Sequence, residues 1–324
     1  MIMNKKFFSI LLMMLLGLFI NMSVTSCNND PDVPRDETED KDHDDPAKIV
    51  LTLASGHFHG NHFHQDAPIE GLKYMNAVQT ITYEMQAGKG MVPTPGSADR
   101  FVVMSGSADK VAAYGLWIKY YDKEGKEITG HFIENGQDKL HQHFFIPMNV
   151  MPLGNVGVAE ADDNDPVKLF GYTYMDTTPW NKTLDDEGTQ LTGASNPIGF
   201  KGWFNFLKPR KTLTLNIRMM HARESKFRNG KASPYYKPSD AQKLSEHWDI
   251  DIKVPVNIAH ARSEEEHWDE PDNVTYDALQ PSAKKMIQAI AEAYGISTDE
   301  ALKAFKKRIQ HAGHHEHIEG GLEF

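Results

Sequence analysis

Ile49-Val50-Leu51-Thr52-Leu53-Ala54-Ser55-Gly56-His57-Phe58-His59 decides how the chain is read, because its large apolar residues recur at every second position. That period belongs to an extended strand with one buried face. Ile49, Leu51 and Leu53 define the inward face, and the same parity runs on through Ser55 to His57 and His59. After the Gly60-Asn61 break, His62 and His64 again share a face, so four histidines fall between residues 57 and 64. Imidazoles at this density and spacing point to a transition metal.

The stripe-then-histidine pattern recurs twice. Leu213, Leu215, Ile217 and Met219 lead to His221, and Ile250, Ile252, Val254, Val256 and Ile258 lead to His260. Strands running in one direction would gather these histidines at one end of a sheet; antiparallel neighbours would divide them between two.

Working outward, about nine alternating segments lie between residues 48 and 262, separated by turn chemistry such as Asp122-Lys-Glu-Gly125 and Asn135-Gly136. The expected fold is mainly β, an antiparallel β-sandwich, either one large sandwich or two in tandem. The acidic loop from Ala159 to Pro166 suggests lobes at 48–158 and 166–262. Beyond an acidic linker the period becomes helical, and 276–312 reads as an α-helical hairpin. Met286, Ile287, Ile290 and Tyr294 form one stripe closed by Gly295, and Ser297-Thr-Asp-Glu300 is a capping box ahead of Leu302, Phe305 and Ile309.

A second histidine group comprises His131, His141 and His143, the last two sharing a strand face with Phe145. The first candidates for metal ligands are therefore His57, His59, His62, His64, His141 and His143, followed by His131, His221 and His260. Asp66, Glu134 and Asp138 are candidate acceptors for the second ring N–H of a ligating imidazole. The expectation is that His57 and His59 meet His141 and His143 around one zinc or copper ion. Met148, Met151, Met219 and Met220 would suit Cu(I) or fill the core. Haem, held by one or two of the same histidines, is the alternative ligand, and a structural or adhesive surface module without metal is the third reading. No HExxH, phosphate loop or nucleophile elbow occurs, so binding rather than catalysis is expected.

The N-terminus supplies an address. Lys5 and Lys6 precede an apolar run from Phe7 to Ile20, and Val24-Thr25-Ser26-Cys27 follows, so 1–27 reads as a lipoprotein signal peptide with Cys27, the only cysteine of the chain, as the acylated residue. Residues 28–47 carry nine acidic and two basic side chains and read as a disordered tether. Removing its net −7 and the two signal lysines from the total of −11 leaves about −6 for residues 48–324, which excludes a nucleic-acid partner. The tail at 313–324 contains His314, His315 and His317, and with His311 it reads as a loose metal-scavenging arm. Asp162-Asp163-Asn164-Asp165 lacks the spacing of a calcium loop and reads as a solvated turn.

Gly56-His-Phe-His-Gly60, His64-Gln-Asp66, Tyr114-Gly-Leu-Trp117, Glu134-Asn-Gly-Gln-Asp138, His141-Gln-His-Phe-Phe145, Asn196-Pro-Ile-Gly199 and Met220-His-Ala-Arg223 together resemble an uncharacterised family of Bacteroidota surface lipoproteins. The resemblance covers 48–262, about two-thirds of the chain. It implies a lipid anchor in the outer membrane, exposure at the cell surface, and partnership with a TonB-dependent receptor that imports metals, haem or nutrients. It assigns no catalytic residue.

Overall fold

The computed structural model describes residues 43–60, 62–106, 112–311 and 321–324. Its strands are β1 (Lys48–His59), β2 (His62–Gln65), β3 (Val78–Gln86), β4 (Gly90–Pro93), β5 (Phe101–Ser105), β6 (Ala113–Tyr121), β7 (His141–Pro152), β8 (Phe170–Tyr174), β9 (Thr177–Thr178), β10 (Gln190–Leu191), β11 (Lys201–Phe206), β12 (Lys211–His221) and β13 (His247–Ala261). Two sheets form the body. One has the order β4-β3-β1-β6-β11-β8 with β2 folded back on β1, and the other has the order β5-β13-β12-β7. Pairing is antiparallel throughout both except for β5, which lies parallel to β13.

The alternation in sequence becomes the core directly. Ile49, Leu51 and Leu53 of β1 pack in one cluster with Leu213, Leu215 and Ile217 of β12 and Ile250, Ile252 and Val254 of β13. Each such side chain fully buried is worth roughly 1.5–3 kcal/mol of transfer free energy, so this inter-sheet layer holds the sandwich together. The expected lobe boundary is corrected by the pairing. β8 and β11 extend the sheet begun by β1, β3 and β6, so segments 48–158 and 166–262 share one core. The acidic loop that suggested a boundary is instead neutralised locally. Lys208 and Lys211 reach into Glu160, Asp162 and Asp163, and Lys211 is itself 1% exposed.

The described residues also form five α-helices, two of them between strands: α1 (Pro166–Leu169), α2 (Asp240–Ser245), α3 (Arg262–Glu266), α4 (Pro281–Tyr294) and α5 (Thr298–His311). The last two form the expected hairpin. α4 ends where Gly295 takes φ 66°, and Ser297 and Glu300 exchange capping bonds at 3.1 and 3.3 Å at the start of α5. Met286, Ile287, Ile290, Leu302 and Phe305 close its core. Arg308 of α5 then donates to Glu265 at 3.1 Å, and Glu265 also meets His260 of β13 at 2.9 Å, so a buried ionic network ties the hairpin to the sheet. No helix among the described residues is long and apolar enough to cross a membrane.

Candidate metal centre

β12 ends at His221 and β7 begins at His141, and these two residues are direct partners across the antiparallel pair. Parity along each strand sends both side chains into the sandwich. His141 is placed by the turn before it: Asn135 and Gly136 take φ of 55° and 87°, left-handed values suited to Asn and Gly. The 3-10 turn Gln137–Lys139 then brings the Gln137 carbonyl to 3.0 Å from His141 Nδ1. With that N–H donated, the Nε2 lone pair faces inward, which is how a ligating imidazole is normally oriented.

Two further residues complete the group. His43, just ahead of β1, lays its ring 4.0 Å from that of Phe132 and places Nε2 3.1 Å from His141 Nε2. Asp249 comes from an irregularity in β13. Met219 pairs with Ile250 and Met220 with Trp248, so Asp249 is the extra residue of a β-bulge. Bulges re-aim side chains; here Ile250 enters the core while the Asp249 carboxylate, 0% exposed, turns to the histidines. Its Oδ2 lies 3.3 Å from His141 Nε2, 3.4 Å from His221 Nδ1 and 3.8 Å from His43 Nε2.

Four potential ligand atoms thus lie within 4.8 Å of one another. A tetrahedral ion at about 2.0–2.1 Å from each donor requires donors about 3.3 Å apart, close to the separations here. The rings agree: centroids of His43, His141 and His221 are separated by 4.4 to 5.2 Å. Burial, with repulsion between His43 and His141, holds the His43 ring at about 4, and burial also lowers His141. Both are therefore neutral at pH 7, the form that ligates. Lys226 braces the strand start from behind, donating to the carbonyls of His141 at 3.0 Å and Pro197 at 2.6 Å, and burial lowers it to about 7. The arrangement can hold a metal ion of the kind that accepts three nitrogens and one carboxylate oxygen.

His57, His59, His62 and His64 do come together, but elsewhere. His57 lies eight positions along β1 from Ile49, whose partner Tyr120 reaches the other group through His143, so the clusters are separated by about 25 Å of strand. Across the β1–β2 hairpin His57 pairs with His64 and His59 with His62. His57 Nε2 is 3.2 Å from His59 Nε2, and Asp66 lies 3.0 Å from His57 Nδ1, in the orienting role expected of it.

The remaining expectations divide. The single site joining His57 and His59 to His141 and His143 is corrected, because His57 and His59 stand at the end of β1 whereas His141 and His143 stand at the start of β7, beside the Tyr120 that pairs with Ile49 near the start of β1. His143 is no ligand in this arrangement: Nε2 meets the Tyr120 hydroxyl at 2.7 Å and Nδ1 the Ile198 carbonyl at 3.0 Å. His131 is exposed, its neighbour Phe132 taking the inward position. His260 is bound to Glu265, and because β12 and β13 are antiparallel it lies at the other end of the sheet from His221. Glu134 accepts from the Trp180 indole and Asp138 from Asn196, so neither orients a ligand. Met219 and Met220 are buried in apolar clusters, whereas Met148 and Met151 are exposed. The tether assignment is corrected at its end, since His43 belongs to the folded unit. Cys27, residues 28–42 and His314, His315 and His317 lie outside the described residues.

Comparison with family models, with curated proteins and with solved structures found no match.

Proposed function

We propose that the protein is a lipid-anchored surface lipoprotein that binds a transition metal, zinc before copper, at His43, His141, His221 and Asp249. The observation that carries this reading is the convergence of four ligand atoms within 4.8 Å in a buried position. A closed set of four protein donors suits retention of an ion rather than catalysis, which needs an open coordination position. Three nitrogens, one oxygen and no sulfur favour Zn2+ over Cu+. Haem fits this centre poorly, because the imidazole nitrogens face one another at 3.1 Å and leave no slot for a macrocycle. The sequence layout around Cys27 supports the anchor, and the resemblance to receptor-associated lipoproteins supports capture and transfer of the metal to a TonB-dependent receptor in the outer membrane. The test is metal analysis and zinc calorimetry on the full chain and on His141→Gln/His221→Gln, with circular dichroism to show that the variant folds. High-affinity binding that disappears in the folded variant supports the reading; binding that survives unchanged refutes it.

A further inference from the structure

The opposite end of β1 holds a second histidine group that the buried centre does not use. The geometry points to a separate, solvent-exchangeable site for a divalent transition metal on the β1–β2 hairpin, with His57, His59 and His64 as nitrogen donors and Glu323 as the oxygen donor.

Strand register builds the nitrogen set. His57 and His59 stand two residues apart on one face of β1, and His64 is the cross-strand partner of His57. Imidazoles bound to one tetrahedral ion at about 2 Å have ring centroids about 5 Å apart. Those of His57 and His59 are 5.1 Å apart, those of His59 and His64 5.0 Å, and those of His57 and His64 6.2 Å. The 3.2 Å between the Nε2 atoms of His57 and His59 is the edge of such a tetrahedron. Asp66 on His57 Nδ1 fixes the tautomer that presents Nε2.

The oxygen donor comes from the far end of the chain. Phe63 and Phe324 exchange backbone hydrogen bonds at 3.2 Å, and Gln65 N–H donates to the Leu322 carbonyl at 3.0 Å, so residues 322–324 run beside β2. Phe324 stacks on Phe63 with centroids 5.4 Å apart, which secures the segment. Glu323 between these anchors sits 3.8 Å from His64 Nδ1, and His64, Glu323 and Asp185, the last 2.9 Å from His62, form a set whose ligand atoms lie within 4.8 Å of one another, His64 being the residue it shares with the His57–His59 pair. In contrast to the buried centre, this set is open: side-chain exposure is 24% for His57, 15% for His64 and 31% for Glu323. An ion here meets solvent and exchanges quickly, while one in the closed centre does not.

The experiment loads the full chain with Zn2+, measures stoichiometry by elemental analysis, and follows removal by a chromogenic chelator. It uses the wild type, His57→Gln/His59→Gln, Asp66→Asn, and His141→Gln/His221→Gln. Each is repeated with His311, His314, His315 and His317 changed to Ala, so that the tail cannot supply the signal. The expected result is a fast-exchanging ion lost in His57→Gln/His59→Gln, weakened about tenfold or more in Asp66→Asn, and retained in His141→Gln/His221→Gln. A fast ion indifferent to His57→Gln/His59→Gln, or one that vanishes with the tail histidines alone, overturns the site. Loss of only the slow ion in His141→Gln/His221→Gln keeps the fate of the buried centre distinct from that of the hairpin.

Discussion

His141 and His221 face each other across neighbouring antiparallel strands, Cα partner to Cα partner, with ring centroids 4.4 Å apart. The pair is the fixed half of the buried centre, since both residues belong to the sheet. Asp249 and His43 are brought to it by a bulge and by the segment ahead of β1.

Asp249→Asn separates metal binding from folding. The substitution removes an anionic donor and is expected to weaken zinc at least 100-fold, while the metal-free protein loses a buried charge and becomes no less stable. Calorimetry paired with denaturant unfolding of the apo-protein measures both. An apo-protein destabilised as strongly as the loaded one would show that the carboxylate serves the fold instead.

Metal removal lowers thermal stability by mass action. At free zinc of 100 times Kd the ion contributes about 2.7 kcal/mol, or about 4–5 °C in Tm for a domain of this size. Scanning with and without a strong chelator tests this, and identical transitions in the two samples speak against a bound ion.

His143→Ala is expected to leave zinc stoichiometry untouched and to cost about 2–4 kcal/mol of stability. It opens a cavity beside Phe200 and strips the Tyr120 hydroxyl of its partner, while the Ile198 carbonyl keeps the backbone N–H of residue 143. Loss of an ion without loss of stability would return His143 to the ligand set.

Acid should undock the helical hairpin before the sandwich opens. Burial alone would raise Glu265, but the charges of Arg308, His260 and Arg262 outweigh it and hold the carboxyl at about 2. Its folded pKa is thus below the unfolded value of 4.5, so its stabilisation is complete above about pH 4.5 and is lost as pH falls towards 2. Hydrogen exchange at α4 and α5 across that interval reads the effect. Glu265→Ala, which leaves Arg308 buried without its carboxylate, should cost about 3–5 kcal/mol at neutral pH.

Period-two and period-3.6 patterns made the strands and the terminal hairpin legible, because burial of one face imposes those periods. Half of the buried centre was legible as well: His141 and His221 stand on inward stripes. Asp249 was hidden because alternation counted back from Ile250 puts it outside, and only the bulge reverses that. His43 was hidden by its surroundings, nine acidic residues in 28–47 that read as a tether. Its signal was local: the sole imidazole of that tract, five residues before the first strand. The partnership of His57 with His141 failed for another reason, since parity gives the face of a strand but not which end of the sheet it reaches.

The separation of 98 residues between His43 and His141 gives the buried centre a topological meaning. With one cysteine in the whole chain, no disulfide can form within it. An ion joining His43, His141, His221 and Asp249 would close loops of the kind a disulfide closes elsewhere, and closing about 100 residues removes roughly 4.7 kcal/mol of unfolded-chain entropy in the simplest model. Such a cross-link is indifferent to thiols and yields to chelators. The sandwich would thus be stapled by the bound ion, and loss of that ion would loosen the segment ahead of β1 that carries His43.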